Sequence, residues 1–189
     1  VRTVVDDRQI PGQFILTGSN AVDKSQIHHS GVGRIARLRM LPMSLWESQE
    51  STGEVSLKEL FNNPDYDIDG KMSKMTVEEL IFAASRGGWP ASLLARTPKA
   101  QLLVAKNYVQ TICSNDISSI DGKKRDARLT SMILRAYARN VSTLVKKKSL
   151  LDDVTSSGEV SCHVDTFDDY VAALEKLFVI QNISAWCPA

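Results

Sequence analysis

The chain has 189 residues, 43% of them hydrophobic and 24% charged, with a formal net charge of +1. This length and apolar content suffice for one large or two small domains, and the charge gives no overall attraction to nucleic acid or anionic membranes. The three cysteines form no C-x-x-C pair, which argues against a disulfide framework or a zinc site. No segment has the length of a membrane span and no signal-peptide pattern is present, so we expect a soluble cytoplasmic protein.

The first predicted strand is Phe14–Thr17, a short apolar run between two turn-forming stretches. Such a run predicts a buried strand that ends in a polar loop, and α/β nucleotide-binding folds place their ligands at that end. Ser19 and Asn20, which follow the run, are therefore candidate ligand-contacting residues. A hydroxyl and an amide at this position also serve as ordinary turn or helix caps, and both interpretations stay open.

A second strand is predicted at Ile35–Leu41, where apolar and basic side chains alternate until Pro42. The alternation is typical of a half-buried strand with a basic outer face. Arg34 precedes it and is a candidate for contact with a nucleotide on a neighbouring subunit, because a guanidinium neutralises charge on a transferring phosphoryl group. The alternative is a pairing with a carboxylate or exposure to solvent.

Short helices and an acidic loop are predicted in the middle of the chain. Ser56 with Glu59, and Thr76 with Glu79, have the spacing of a capping box. The helix that begins after Thr76 is predicted to end at Arg86, because two glycines follow and glycine supplies the usual C-cap conformation. The loop before it contains D-x-D-x-D-G but has threonine where a calcium loop requires glutamate, so no metal site is predicted.

Residues 123–148 carry nine positive charges against one negative charge. Apolar residues recur among them at helical spacing, so the cations are expected on the outer face and ends of a helix. There they can neutralise nucleic-acid phosphates with little sequence selectivity, although a solvated helix flank is an equal alternative. The candidate nucleic-acid contacts are Lys123, Lys124, Arg125, Arg128, Arg135, Arg139, Lys146, Lys147 and Lys148.

The tail predicts a winged-helix outline, with helices at Thr143–Val154 and Phe167–Phe178 followed by a strand at Val179–Ile183. The second helix would occupy the position of a recognition helix. Because it carries acidic residues such as Asp168 and Asp169, it is a poor reader of the DNA major groove. Any DNA binding is therefore expected from residues 123–148.

Five segments, in order, resemble a family of predicted prokaryotic AAA+ ATPases that carry a C-terminal domain of unknown function. They are FILTGSN at 14–20, GRIARLRMLPMSLWE at 33–47, GGWP at 87–90, YVQTICSNDI at 108–117 and DTFDDYVAALEKLFVIQNISAW at 165–186. The resemblance implies a sensor-1 role for Ser19 or Asn20, a trans-acting role for Arg34, and a second-sensor role for Arg86 at the helical lid. For Arg86 the alternative is complementation of the helix dipole, and Trp89 is interpreted as a packing anchor.

The phosphate-binding motif G-x-x-x-x-G-K-[ST] of P-loop ATPases does not occur in these residues, nor does an apolar strand ending in an acidic pair. By resemblance, the chain is expected to be a piece of such a protein that begins downstream of these motifs and is truncated at both ends. The complete protein would bind ATP and Mg²⁺ and hydrolyse ATP. The piece alone is expected to hold no cofactor or metal and to be inactive.

The predicted fold is mixed and mostly α. Residues 1–95 are expected to form the remnant of an α/β AAA+ P-loop domain, with two strands and a helical lid, and residues 96–189 a helical winged-helix-like domain. Because the strand between the two predicted strands would be missing, we expect the open edges to favour self-association. The three functional hypotheses are part of an AAA+ ATPase, a winged-helix nucleic-acid-binding module that uses residues 123–148, and an interaction scaffold that forms a stable oligomer.

Overall fold

The computed structural model describes residues 1–18, 33–36, 38–156, 158 and 160–184. Within these ranges the regular structure is helical and contains no β-strand. The chain divides into two compact units. Unit 1 comprises Val1–Arg37 together with Gln110–Ala189, and unit 2 comprises Leu38–Val109.

The prediction of two N-terminal strands is wrong for the described residues. Phe14–Thr17 lies outside any strand, and the side chain of Ile15 is 93% exposed. In the described part of the second run, Leu38 and Met40 are exposed as well. A short apolar run becomes a strand only where a neighbouring strand pairs with it, because β-propensity largely measures packing against neighbours. The α/β remnant with two strands is therefore not the fold of this part of the chain, and Ser19 and Asn20 lie outside the described residues.

The winged-helix prediction is also wrong, because the stretch expected to supply its strand has no strand structure. Phe178 adopts a left-handed backbone conformation, with φ of 59°, that ends the preceding helix. Beyond this turn, Ile180 packs into the core of unit 1 and not into a sheet. The apolar side chains Val179 and Ile180 of this stretch are thus packed against helices.

Helix starts in unit 2 follow the predicted capping signals. The Ser56 hydroxyl accepts a hydrogen bond from the amide of Glu59 at 3.3 Å. Thr76 and Glu79 form a complete capping box, in which each side chain accepts a hydrogen bond from the other residue's amide. The prediction that the helix after Thr76 ends at Arg86 is confirmed. The helices that begin in this unit are α2 (Leu57–Asn62), α3 (Val77–Arg86), α4 (Pro90–Leu93) and α5 (Pro98–Thr111).

Unit 1 is built around a cluster of buried apolar side chains. Its largest fully buried member is Phe167, and Ile133 and Leu174 are also fully buried. The cluster is formed mainly by helices, each of which turns an apolar face inward. Among the described residues, the helices that begin in this unit are α1 (Arg2–Arg8), α6 (Ile117–Ser119), α7 (Ala127–Arg139), α8 (Lys147–Thr155) and α9 (Val164–Lys176).

A π-helical segment, Ile112–Asp116, joins α5 to α6. Each of its i→i+5 hydrogen bonds spans one residue more than the i→i+4 bonds of an α-helix, so the turn is wider. The wider turn places two successive residues, Ile112 and Cys113, on the buried side together with Ile117. Burial raises the pKa of the Cys113 thiol.

Candidate functional site

A cleft of about 490 Å³ opens in unit 2 between the turn at residues 43–50 and the region of α4. It has a mixed lining, with apolar side chains mainly in the region of α4 and polar side chains mainly on the turn. The lining residues are Met43, Glu47, Ser48, Gln49, Glu50, Arg86, Pro90, Leu93 and Leu94.

The turn on one side of the cleft is fixed by hydrogen bonds at both ends. The amide and hydroxyl of Ser44 each donate to Oε2 of Glu47 at 2.8 Å, and the amide of Glu47 donates back to the hydroxyl at 3.3 Å. At the other end Gln49 has φ of 63°, and the amide of Glu50 donates to the carbonyl of Leu45 at 2.8 Å. These are a capping box and a Schellman-type ending around a single helical turn. The S-x-x-E spacing at 44–47 is the sequence signal that predicts this turn.

An ion pair between Arg86 and Glu50 forms part of the cleft lining. The two terminal nitrogens of Arg86 donate to the two carboxylate oxygens of Glu50 at 3.0 and 2.7 Å, and Ser48 adds a third donor at 2.6 Å. Arg86 is only 5% exposed. Its hydrogen bonds hold the pKa of Glu50 below the ordinary value. The candidate second-sensor arginine is therefore engaged within its own unit, by a partner 36 residues away that the sequence did not identify.

The two glycines of GGWP are required by the backbone around this ion pair. Gly87 has φ of 74° and ψ of 175°, a conformation that is almost restricted to glycine. The carbonyl of Gly88 accepts a hydrogen bond from the amide of Met43 at 2.8 Å. A Cβ atom at Gly88 would lie only 2.2 Å from the carbonyl oxygen of Met43, so there is no room for a side chain. The close main-chain contact thus joins the end of α3 to the turn that lines the cleft.

Trp89 packs against Tyr108, with ring centroids 4.5 Å apart and planes inclined by 52°. This contact agrees with its interpretation as a packing anchor. Nearby, the fully buried hydroxyl of Ser92 lies 3.1 Å from the carbonyl of Arg86 and 2.9 Å from that of Gln101. The segment that begins with GGWP is therefore held by an aromatic contact at Trp89 and by the hydrogen bonds of the buried Ser92 hydroxyl.

Arg34 has a different environment from Arg86. It forms an ion pair with Asp6 in unit 1, and its side chain remains 43% exposed. An exposed pair of this kind contributes little to stability. Arg34 can therefore exchange its partner at a lower cost than Arg86.

The basic stretch is partly neutralised by acidic residues from other elements of unit 1. Arg125 is buried, donates to both carboxylate oxygens of Asp121 at 2.8 Å, and also contacts Asp169. Lys123 contacts Asp169 as well, at 2.6 Å. The hydrogen bonds from Arg125 lower the pKa of Asp121 to about 2. Arg125, a candidate nucleic-acid contact in the sequence, lies in the interior.

Two further cations of the stretch are paired: Arg139 with Asp153 at 2.7 Å and Lys147 with Asp168 at 2.9 Å. Arg128 is exposed and has a contact of its own. Of the nine cations, Lys124, Arg135, Lys146 and Lys148 have no ion pair or side-chain hydrogen bond with the described residues.

In the described ranges no three His, Cys, Asp or Glu side chains are placed to hold a metal ion. None of the helices found there has the length and apolar character needed to span a bilayer.

Comparison with known proteins identifies one family. Residues 77–189, more than half of the chain, match the family described as a domain of unknown function, DUF8612. No curated protein and no solved structure matches the chain. The chain therefore belongs to the DUF8612 family.

Proposed function

We propose that this chain is part of an ATP-binding protein of the AAA+ class, whose phosphate-binding motifs lie outside these residues. The observation that carries the proposal is the order of the five segments that resemble those ATPases, from FILTGSN to the tail at 165–186. The geometry around GGWP supports it, because Gly87 has a conformation that favours glycine and Gly88 has no room for a side chain, so both glycines of the motif have a structural reason. The proposal includes no sheet in the described residues.

Within this proposal Arg34 is the arginine that contacts the nucleotide of a neighbouring subunit. Its exposed ion pair with Asp6 can be replaced by an ion pair with phosphate, whereas Arg86 is buried and held by Glu50. An arginine that stabilises the charge of a transferring phosphoryl group raises kcat by about 10³ or more. Nucleotide binding itself depends on the phosphate-binding loop and less on this arginine.

The test uses the protein extended upstream to include its phosphate-binding loop. Arg34→Ala is expected to lower kcat about 10³-fold with ATP affinity nearly unchanged, and Arg96→Ala, an exposed arginine elsewhere, serves as the control. Mixing Arg34→Ala chains with chains altered at the phosphate-binding lysine should restore turnover, because the two lesions lie on different sides of an intersubunit site. Failure of the extended protein to bind ATP would overturn the proposal.

A second function, nucleic-acid binding, is favoured by the four cations of residues 123–148 without a partner in the described residues. Four phosphate contacts predict a slope of about −4 for log K against log salt, whereas all nine cations would give about −8. Anisotropy of a labelled 20-base-pair duplex at several salt concentrations measures the slope. Lys148→Gln should reduce its magnitude by about 1, and the paired neighbour Lys147→Gln by less. A slope near zero would contradict this function.

A further inference from the structure

The cleft of unit 2 combines apolar walls with an available negative charge. Its apolar lining comes from Met43, Pro90, Leu93 and Leu94, and Leu94 is 83% exposed. The volume of about 490 Å³ is within the range of ligand-binding clefts. The cleft can therefore accept a side chain of a partner.

The two carboxylates of the cleft differ in how many of their oxygens already accept hydrogen bonds. Both oxygens of Glu50 accept hydrogen bonds from Arg86, so this pair has little capacity for a ligand. On Glu47 only Oε2 is engaged, by Ser44, and among the described residues Oε1 has no hydrogen-bond partner. The hydrogen bonds from Ser44 lower the pKa of Glu47, which keeps it ionised. Two carboxylates against one guanidinium leave the lining with a net charge of −1.

This pattern decides which class of ligand fits. A phosphate-bearing ligand would bring negative charge to a negative cleft whose arginine is already engaged, so it is disfavoured. A ligand rich in hydroxyls would leave many polar groups without partners against the apolar walls. A cation on an apolar stem matches both features, because the stem covers the leucines while the charge reaches the carboxylate.

We propose that the cleft is a docking site for a peptide segment of a partner protein in which an apolar side chain lies beside an arginine or lysine. The apolar side chain packs against Leu93 and Leu94, and the cation pairs with Oε1 of Glu47. Charge complementarity selects this occupant, and the fixed turn at 43–50 keeps Glu47 in position before binding. The proposal is independent of ATP binding.

The experiment uses two fluorescein-labelled ten-residue peptides, Leu-Arg-Leu or Leu-Glu-Leu at the centre of a Gly-Ser background. Anisotropy measures their affinity for the chain, and amide chemical shifts locate the site. The arginine peptide is expected to bind more tightly and to shift the signals of Gln49 and Leu94. Glu47→Gln should weaken its binding about fivefold. Glutamine still supports a capping box, so this variant should fold.

Glu78→Gln removes an equal charge outside the cleft and should leave the affinity unchanged. Leu94→Ser, at a highly exposed position, should weaken binding of the arginine peptide without altering the fold. Equal binding of the two peptides, equal effects of Glu47→Gln and Glu78→Gln, shifts elsewhere in the chain, or no binding of either peptide would each overturn the proposal.

Discussion

Comparison of the two units shows two ways of stabilising a small fold. Unit 1 buries a continuous apolar cluster that extends from Ile112 to Ile180. In unit 2 the described residues that are buried are Ala83, Arg86, Ser92 and Ala105, so two of the four are polar. Unit 2 replaces a large apolar core by an ion pair, a buried hydroxyl and a close main-chain contact. We therefore expect core truncation to damage unit 1 most and loss of polar partners to damage unit 2 most.

The largest effect is expected from Phe167→Ala. The ring is 1% exposed, and its removal should lower the free energy of unfolding of unit 1 by about 3–5 kcal/mol, because a cavity replaces buried surface. Urea unfolding followed by circular dichroism measures the change. Phe61→Ala, at a position that is 86% exposed in unit 2, is the matched control and should change stability by about 0.5 kcal/mol or less. Equal losses in the two variants would remove the contrast between the units.

A smaller effect is expected from Arg86→Met, which leaves Glu50 without its partner in a cleft. The loss should be about 2 kcal/mol, below the range for fully buried pairs because the Glu50 side chain is 29% exposed. Adding Glu50→Gln to Arg86→Met should recover part of the lost stability, because the unpaired negative charge of Glu50 causes most of the destabilisation. In a Trp186→Phe background the fluorescence of Trp46 and Trp89 reports unit 2 alone. A double variant no more stable than Arg86→Met would show that packing, and not charge, is the main contribution.

The smallest effect concerns acid. The pKa of Asp121 is lowered from 3.8 to about 2, chiefly by hydrogen bonds from Arg125. A lowered pKa contributes stability that is complete above pH of about 4 and is lost as pH falls through about 2. After allowance for solvent screening this is worth about 1 kcal/mol. Urea unfolding between pH 2 and 5 should show this loss in the native protein and in Asp152→Asn, but not in Asp121→Asn. An unchanged profile in Asp121→Asn would contradict the assignment.

Local signals in the sequence predicted local structure. The capping box of Thr76 and Glu79 and the end of α3 at Arg86 were found because their partners are three or fewer residues apart. The strands at 14–17 and 35–41 were wrong because a strand depends on a neighbour that the apolar pattern does not specify.

The partners of the charged residues were beyond the reach of sequence patterns. Arg86 meets Glu50 across 36 residues, and Lys123 meets Asp169 across 46 residues. Residues 123–148 have a large excess of positive charge in the sequence. In the folded chain this excess is smaller, because acidic residues from outside the stretch pair with several of its cations. The cleft was missed for the same reason, because its two sides come from separate segments.

The burial of Cys113 within the π-helical segment makes its thiol a reporter of the opening of unit 1. A thiol reagent needs an exposed thiolate, so Cys113 reacts only when unit 1 opens, while the half-buried Cys162 reacts sooner. With Cys187 replaced by serine, two labelling rates measured on one sample would time local and global opening of the same unit. The slower rate, that of Cys113, would report how often the core of unit 1 opens, and it would do so through a cysteine that the chain already contains.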